Sequence, residues 1–197
     1  MITIPLTTEG ASLVLSDAVV ERFALHQQVH RDQAEAGGQL FARITRYEIF
    51  VEEATGPRPT DRRGRTHYTP DRQAERKEIR ERFVLGLHYV GDWHTHPESV
   101  PTPSPVDRFT ISDCSRRSTH KLAGFLLVVV GNGDFPQCLH ISLNHGFEAT
   151  QLSNAHHSGS NEATLSLEFN GSHTQQSFST DRPLPPKPTN RHQSIRR

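Results

Sequence analysis

The segment Gly91-Asp92-Trp93-His94-Thr95-His96-Pro97, followed by Pro103-Ser104 and then Asp107, constrains this chain more than any other. Its two histidines are two positions apart, and an aspartate lies eleven positions beyond the second. Alternate residues of a strand point to the same face, so both imidazoles can reach one ion. Asp107 would come from the start of the next helix, returned to the site by a loop stiffened by Pro97, Pro101, Pro103 and Pro105. Two nitrogens and one carboxylate oxygen suit zinc and leave a fourth position for water. Such a water has its pKa lowered to about 7, which supplies hydroxide at neutral pH.

Hydrolysis also needs a base. The best-placed candidate is Glu35, just before Gly37-Gly38, where a backbone without side chains can approach the metal. Ser104 is placed to donate a hydrogen bond to the oxyanion of a tetrahedral intermediate. Trp93 alternates with His94 and should point away from the metal into the core. A His-x-His pair alone would describe two ordinary histidines. The added Glu, Pro-Ser and Asp at these offsets turn it into a catalytic pattern whose test is a strand–loop–helix context. His67, His88, His120 and His140 have no such company and read as structural, and Glu98 as a solvated loop residue.

The surrounding periodicity predicts an α/β fold. Ser12–Leu15 reads as a strand, and Ser16 or Asp17 can cap a helix over 17–30 with Val19, Val20, Phe23 and Ala24 on its apolar face. Residues 39–45 and 48–54 form a hairpin candidate. Residues 55–66, rich in Pro, Gly and Arg, read as a polar loop: a solvated connection or a substrate-facing one. A charged helix follows over 71–87, with Ile79, Phe83, Val84 and Leu87 inward. Residues 88–94 read as a buried strand, 104–118 as a helix, 122–130 as a central strand buried on both faces, and 137–143 as a further strand. Helices alternating with mixed strands suggest a three-layer sandwich.

Residues 1–150 are thus expected to form one domain. Segment 151–197, rich in Ser, Asn, His, Gln and Pro, cannot bury enough surface to offset its ordering entropy, and is expected to be a disordered tail. Within it, Thr164–Phe169 could add an edge strand, and 182–188 has polyproline character.

Lys+Arg and Asp+Glu balance at 22 each, so no global field favours nucleic acid or an anionic membrane. The N-terminus lacks the pattern of a signal peptide, and the longest apolar run, 125–130, is too short to span a bilayer. Two cysteines, Cys114 and Cys138, make no disulfide framework or CxxC site. A cytoplasmic protein is expected.

At the residues quoted above the chain resembles the JAB/MPN family with its JAMM motif: a Glu, then His-x-His-Pro, then Pro-Ser-x-x-Asp. The matching residues are Glu35, His94, His96, Pro97, Pro103, Ser104 and Asp107. The resemblance covers about residues 12–143. It implies an MPN-like sandwich, a mixed and mainly antiparallel sheet flanked by helices. It further implies one zinc ion on His94, His96 and Asp107, Glu35 as general acid/base and Ser104 as oxyanion stabiliser. Family members are deubiquitinase-like metallopeptidases that cleave the bond after the C-terminus of ubiquitin or a ubiquitin-like protein. The Gly-Asp-Trp-His-Thr-His-Pro version is similar to the bacterial branch encoded beside E1- and E2-like enzymes in antiphage operons, including those of cyclic-oligonucleotide signalling. A non-catalytic MPN scaffold and a DNA-repair-associated JAMM domain are the alternatives. Only 14 residues separate Asp107 from Leu122, which leaves no room for a second large substrate-binding insertion. Residues 55–69 are then the segment expected to grip the modifier's tail.

Overall fold

An apolar run with no polar residue needs apolar neighbours on both faces, and Phe125–Val130 has them: all six residues are buried inside an eight-stranded sheet. The computed structural model describes residues 1–6, 10–119, 122–152 and 177–178. In chain order the elements are β1 (Ile2–Pro5), β2 (Ser12–Leu15), α1 (Asp17–His26), β3 (Gly37–Ile44), β4 (Glu48–Ala54), β5 (Arg62–Gly64), β6 (His67–Thr69), α2 (Arg72–Val84), β7 (His88–Thr95), α3 (Pro105–Arg117), β8 (Ser118–Thr119), β9 (Phe125–Val130), β10 (Leu139–His145), β11 (Glu148–Gln151) and β12 (Ser177–Phe178).

The main sheet runs β1-β2-β4-β3-β7-β9-β10-β11. Only β2–β4 and β7–β9 pair in parallel, so the sheet is mixed and mainly antiparallel. One face carries α1: Val19 and Phe23 join Leu13, Leu15, Val90, Trp93 and Val128 in the larger apolar cluster. The other face carries α2 and α3, whose Ile79 and Ile111 pack with Phe41, Tyr89, Phe125 and Val129. This is the expected three-layer sandwich. Burying each such large side chain contributes about 1.5–3 kcal/mol.

Several local expectations are corrected. The helix expected over 17–30 ends at His26, and Ala24 is exposed on it. Its start is as expected, with Ser16 as N-cap accepting from the Val19 amide. In the second helix Val84 is 84% exposed rather than inward, while Glu75 is buried. The stretch 55–66 is not merely a loop: β5 and β6 form a small hairpin, Arg63 opposite Tyr68. Strands β1 and β11, four residues each, close the sheet edges and were not expected; most of their residues are exposed. The expected edge strand at 164–169 and the polyproline segment lie outside the described residues, as does most of the expected tail; of 151–197 the described residues are Gln151 at the end of β11, Leu152 buried in the core, and β12, which pairs with β8.

Candidate metal centre

The metal ligands sit where β7 ends and α3 begins. β7 lies between β3 and β9, with His94 opposite Gly37 on one side and Val129 on the other. A bulge precedes it. Gly91 pairs with Leu40 and Tyr89 with Phe41, which leaves Val90 extra. Gly91 has φ +150°, and a Cβ there would meet the Leu126 carbonyl oxygen at 2.0 Å, so only glycine is accommodated. The bulge re-phases the strand. Val90 and Trp93 face the α1 side, while Tyr89 and Asp92 face α2 and meet through a 2.9 Å hydrogen bond from the Tyr89 hydroxyl. Trp93 is in the core as expected, its ring packed at a tilt against Phe23 and its Nε1–H donating to the Thr55 carbonyl.

His94 and His96 project together, with their Nε2 atoms 3.2 Å apart. Asp107, in the first turn of α3, brings Oδ2 to 3.3 Å from His94 Nε2 and 3.5 Å from His96 Nε2. The three residues each offer a ligand atom, all within 4.8 Å of one another, so the group could hold a metal ion. Burial pushes the Asp107 carboxyl up, but hydrogen bonds from His94 and His96 outweigh it and hold the group well below the usual carboxylate range. Burial would lower His96, but Asp107, then Glu35 and Glu98, raise it above the ordinary imidazole value.

Ser104 sits at the N-terminus of α3, its carbonyl accepting from the Arg108 amide. Its backbone N–H donates to Asp107 Oδ2 at 2.8 Å, and its Oγ accepts from the Asp107 N–H at 3.2 Å. With Pro105 in the first helical position, this is a reciprocal capping box. Glu35 is 7% exposed and lies near enough to His96 for its charge to act there. The structure therefore brings all five expected residues to one end of β7.

The pair Gly37-Gly38 has a packing reason of its own. A Cβ on Gly38 would lie 1.8 Å from the Thr55 carbonyl oxygen, and one on Gly37 would meet Trp93 O and the Tyr68 ring at 2.7 Å. Both glycines are thus required by close approach of neighbouring protein, and Gly37 lies directly opposite His94.

Other residues around the site carried no sequence signal. His140 pairs with Val129, which pairs with His94, so the two histidines lie in one row across three strands. Burial, then Arg108 and His94, push its pKa down to about 4. Beside the ligands, half-buried Asp92 lies near Arg72, which pairs with Glu75 at 2.7 Å. Burial raises the carboxyl groups of both Asp92 and Glu75, and Arg72 opposes this. Glu98 is as expected, with a half-exposed side chain 3.9 Å from His96 Nδ1. Both cysteines are free thiols, Cys138 buried and Cys114 beside the Tyr89 hydroxyl. Among the described residues no helix is long and apolar enough to cross a membrane.

A family model described as prokaryotic homologs of the JAB domain matches residues 17–141. The chain belongs to this family. Among curated relatives, a "CD-NTase/cGAS isopeptidase" of Vibrio cholerae is 31% identical over 126 residues, covering 62% of this chain and 78% of that protein. One of the same name from Pseudomonas aeruginosa is 30% identical over 122 residues, covering 60% and 77%. A solution structure of a Desulfitobacterium hafniense protein superposes with a TM-score of 0.52 at 19% identity, covering 71% of this chain and 88% of that one; this likeness concerns the fold.

Proposed function

We propose that this JAB protein is a zinc-dependent isopeptidase of bacterial antiphage defence, acting in the cytoplasm. It hydrolyses the bond after the C-terminus of a conjugated protein, either a ubiquitin-like modifier or, following the name of its relatives, a CD-NTase. Removal from a target or trimming of a precursor are both within its chemistry, and E1/E2-like conjugating enzymes would make its substrate. The carrying observation is the convergence of His94, His96 and Asp107 within 4.8 Å, beside Glu35 and Ser104.

Zinc fits this donor set. Two imidazole nitrogens and a carboxylate held ionised make the ligand set of an open catalytic site rather than a closed structural one. When bound there, zinc supplies a Lewis acid and acidifies the attacking water. Glu35, buried beside His96, takes the proton of that water and delivers it to the departing amine. Ser104 Oγ accepts from the Asp107 amide, which leaves its own hydroxyl proton to donate to the carbonyl oxygen as charge develops. The substrate tail enters as an extended strand beside the β5–β6 hairpin.

The test is a linear fusion of a CD-NTase to a fluorescent protein, with a ubiquitin-like fusion in parallel. The zinc-loaded wild type should cleave at the junction of one of them. Glu35→Ala should hold about one zinc per chain and cleave neither. Full activity in that variant would reassign the base, and a protein that takes up no zinc on reconstitution would remove the metal site.

A further inference from the structure

The Arg-rich segment 55–69 makes contacts that its role as a substrate-facing surface does not require. Glu35 lies just ahead of β3, and its two neighbours in space are different. On one side Ala36 is bound to β7: the Thr95 amide donates to the Ala36 carbonyl at 2.8 Å, and the Ala36 amide donates to Thr95 Oγ1 at 3.0 Å. On the other side Glu35 itself is bound to β5. Its amide donates to the Gly64 carbonyl at 2.8 Å, and its carbonyl accepts from Arg63 Nε at 2.6 Å. A second Arg63 nitrogen reaches the Ala34 carbonyl at 3.4 Å. The base therefore stands on a backbone strung between the metal strand and the hairpin.

The hairpin is in turn anchored. Arg58, nearly buried, grips Glu78 of α2 with Nε and Nη2 at 2.8 and 2.5 Å and meets the Tyr68 hydroxyl at 3.5 Å. The Tyr68 hydroxyl donates to Asp61 at 3.0 Å, and Asp61 also accepts the Asp71 amide at the start of α2. The Tyr68 ring packs so closely on Gly37 that no side chain fits there. The chain from α2 to Glu35 is thus unbroken: Glu78, Arg58, Tyr68 opposite Arg63, Glu35.

We propose that Arg63 is a positioning residue for the base, and that the β5–β6 hairpin sets the place of Glu35 over the metal ligands. This rests on Glu35 being the base. A guanidinium on the Glu35 carbonyl is a charge-assisted bond, and a base must be held within a fraction of an ångström. Because Glu35's backbone groups are already bonded to the hairpin, an incoming tail is left the outer edge of β6, and pressure on that edge acts on the base through β5.

The experiment compares wild type, Arg63→Met and Arg63→Lys on the cleavable fusion, and follows amide hydrogen exchange at Glu35 in metal-free protein. Arg63→Met should lower kcat on the order of tenfold to a hundredfold, leave KM within twofold, and keep zinc content. Exchange at the Glu35 amide should quicken in Arg63→Met, with the amides of β9 unchanged as the sign of an intact fold. Arg63→Lys, which keeps a cationic donor, should recover part of kcat. A raised KM with unchanged kcat would make Arg63 a substrate contact and overturn the proposal, as would unchanged exchange and kcat in Arg63→Met. Both outcomes differ from failure of the functional reading itself, in which Glu35→Ala would remain active.

Discussion

Ser104 and Asp107 cap each other: the serine amide donates to the aspartate carboxylate and the aspartate amide to the serine hydroxyl, at 2.8 and 3.2 Å. One helix terminus thereby orients a metal ligand and holds a hydroxyl beside it. Glycine is almost as good an N-cap, costing only a few tenths of a kcal/mol. Ser104→Gly should therefore melt close to wild type and bind zinc, while kcat falls about 10²- to 10³-fold for want of an oxyanion donor. Thermal melts beside cleavage kinetics test this; a variant that keeps its kcat would leave Ser104 with capping alone.

Metal removal should be felt in stability as well as activity. Ligands that bind only the folded state stabilise it by about 2.7 kcal/mol when free ligand is a hundred times Kd. Chelation should lower the melting temperature, and zinc should restore it. In His96→Ala the zinc-dependent shift should shrink sharply. A wild-type melt indifferent to both chelator and zinc would count against the site.

Gly38→Ala should be among the most damaging single substitutions. Its Cβ would fall 1.8 Å from the Thr55 carbonyl oxygen, a backbone atom bound to Trp93 Nε1 and unable to swing aside. The strain should cost about 1–3 kcal/mol or more and pry residues 55–69 from β3. Denaturant melts and proteolysis within 55–69 read both effects; wild-type behaviour in the two would refute the packing argument.

The pH dependence has a definite sign at His140. Its pKa falls from 6.5 to about 4 on folding, through burial and then the charges of Arg108 and His94. The folded state therefore binds fewer protons than the unfolded one between these values. Stability from this group is complete above about 6.5 and is lost as pH falls towards 4. His140→Asn should flatten the fall in melting temperature across that window. Parallel curves for the two proteins would show that His140 does not carry it.

Much of this was legible in residue order because the signals are local. The apolar run 125–130, the Ser16 cap and the alternation around 39–54 follow from periodicity and capping chemistry. The hairpin at 62–69 was not. Its strands are three residues each and polar, and they exist because Gly64 and Arg63 find the backbone of Glu35 and Arg58 finds Glu78. Val84 was misplaced because α2 ends at that residue, which leaves its side chain in solvent and gives the buried face to Ile79 and Glu75.

By itself the sequence determined the ligand types and their spacing: two imidazoles two positions apart, at and just past the end of a strand, and a carboxylate at a helix start. Those depend on backbone repeats a few residues long. Tertiary structure decided which face the site uses and what supports it. The Val90 bulge sends Val90 and Trp93 to the α1 core while Tyr89 and Asp92 turn to the α2 side. Contacts between residues far apart in the chain then place His140 in line with His94 and tie Glu35 to Arg63. A bulge and a long-range hydrogen bond are settled by the packing of the partners they meet, and residue order does not carry that packing.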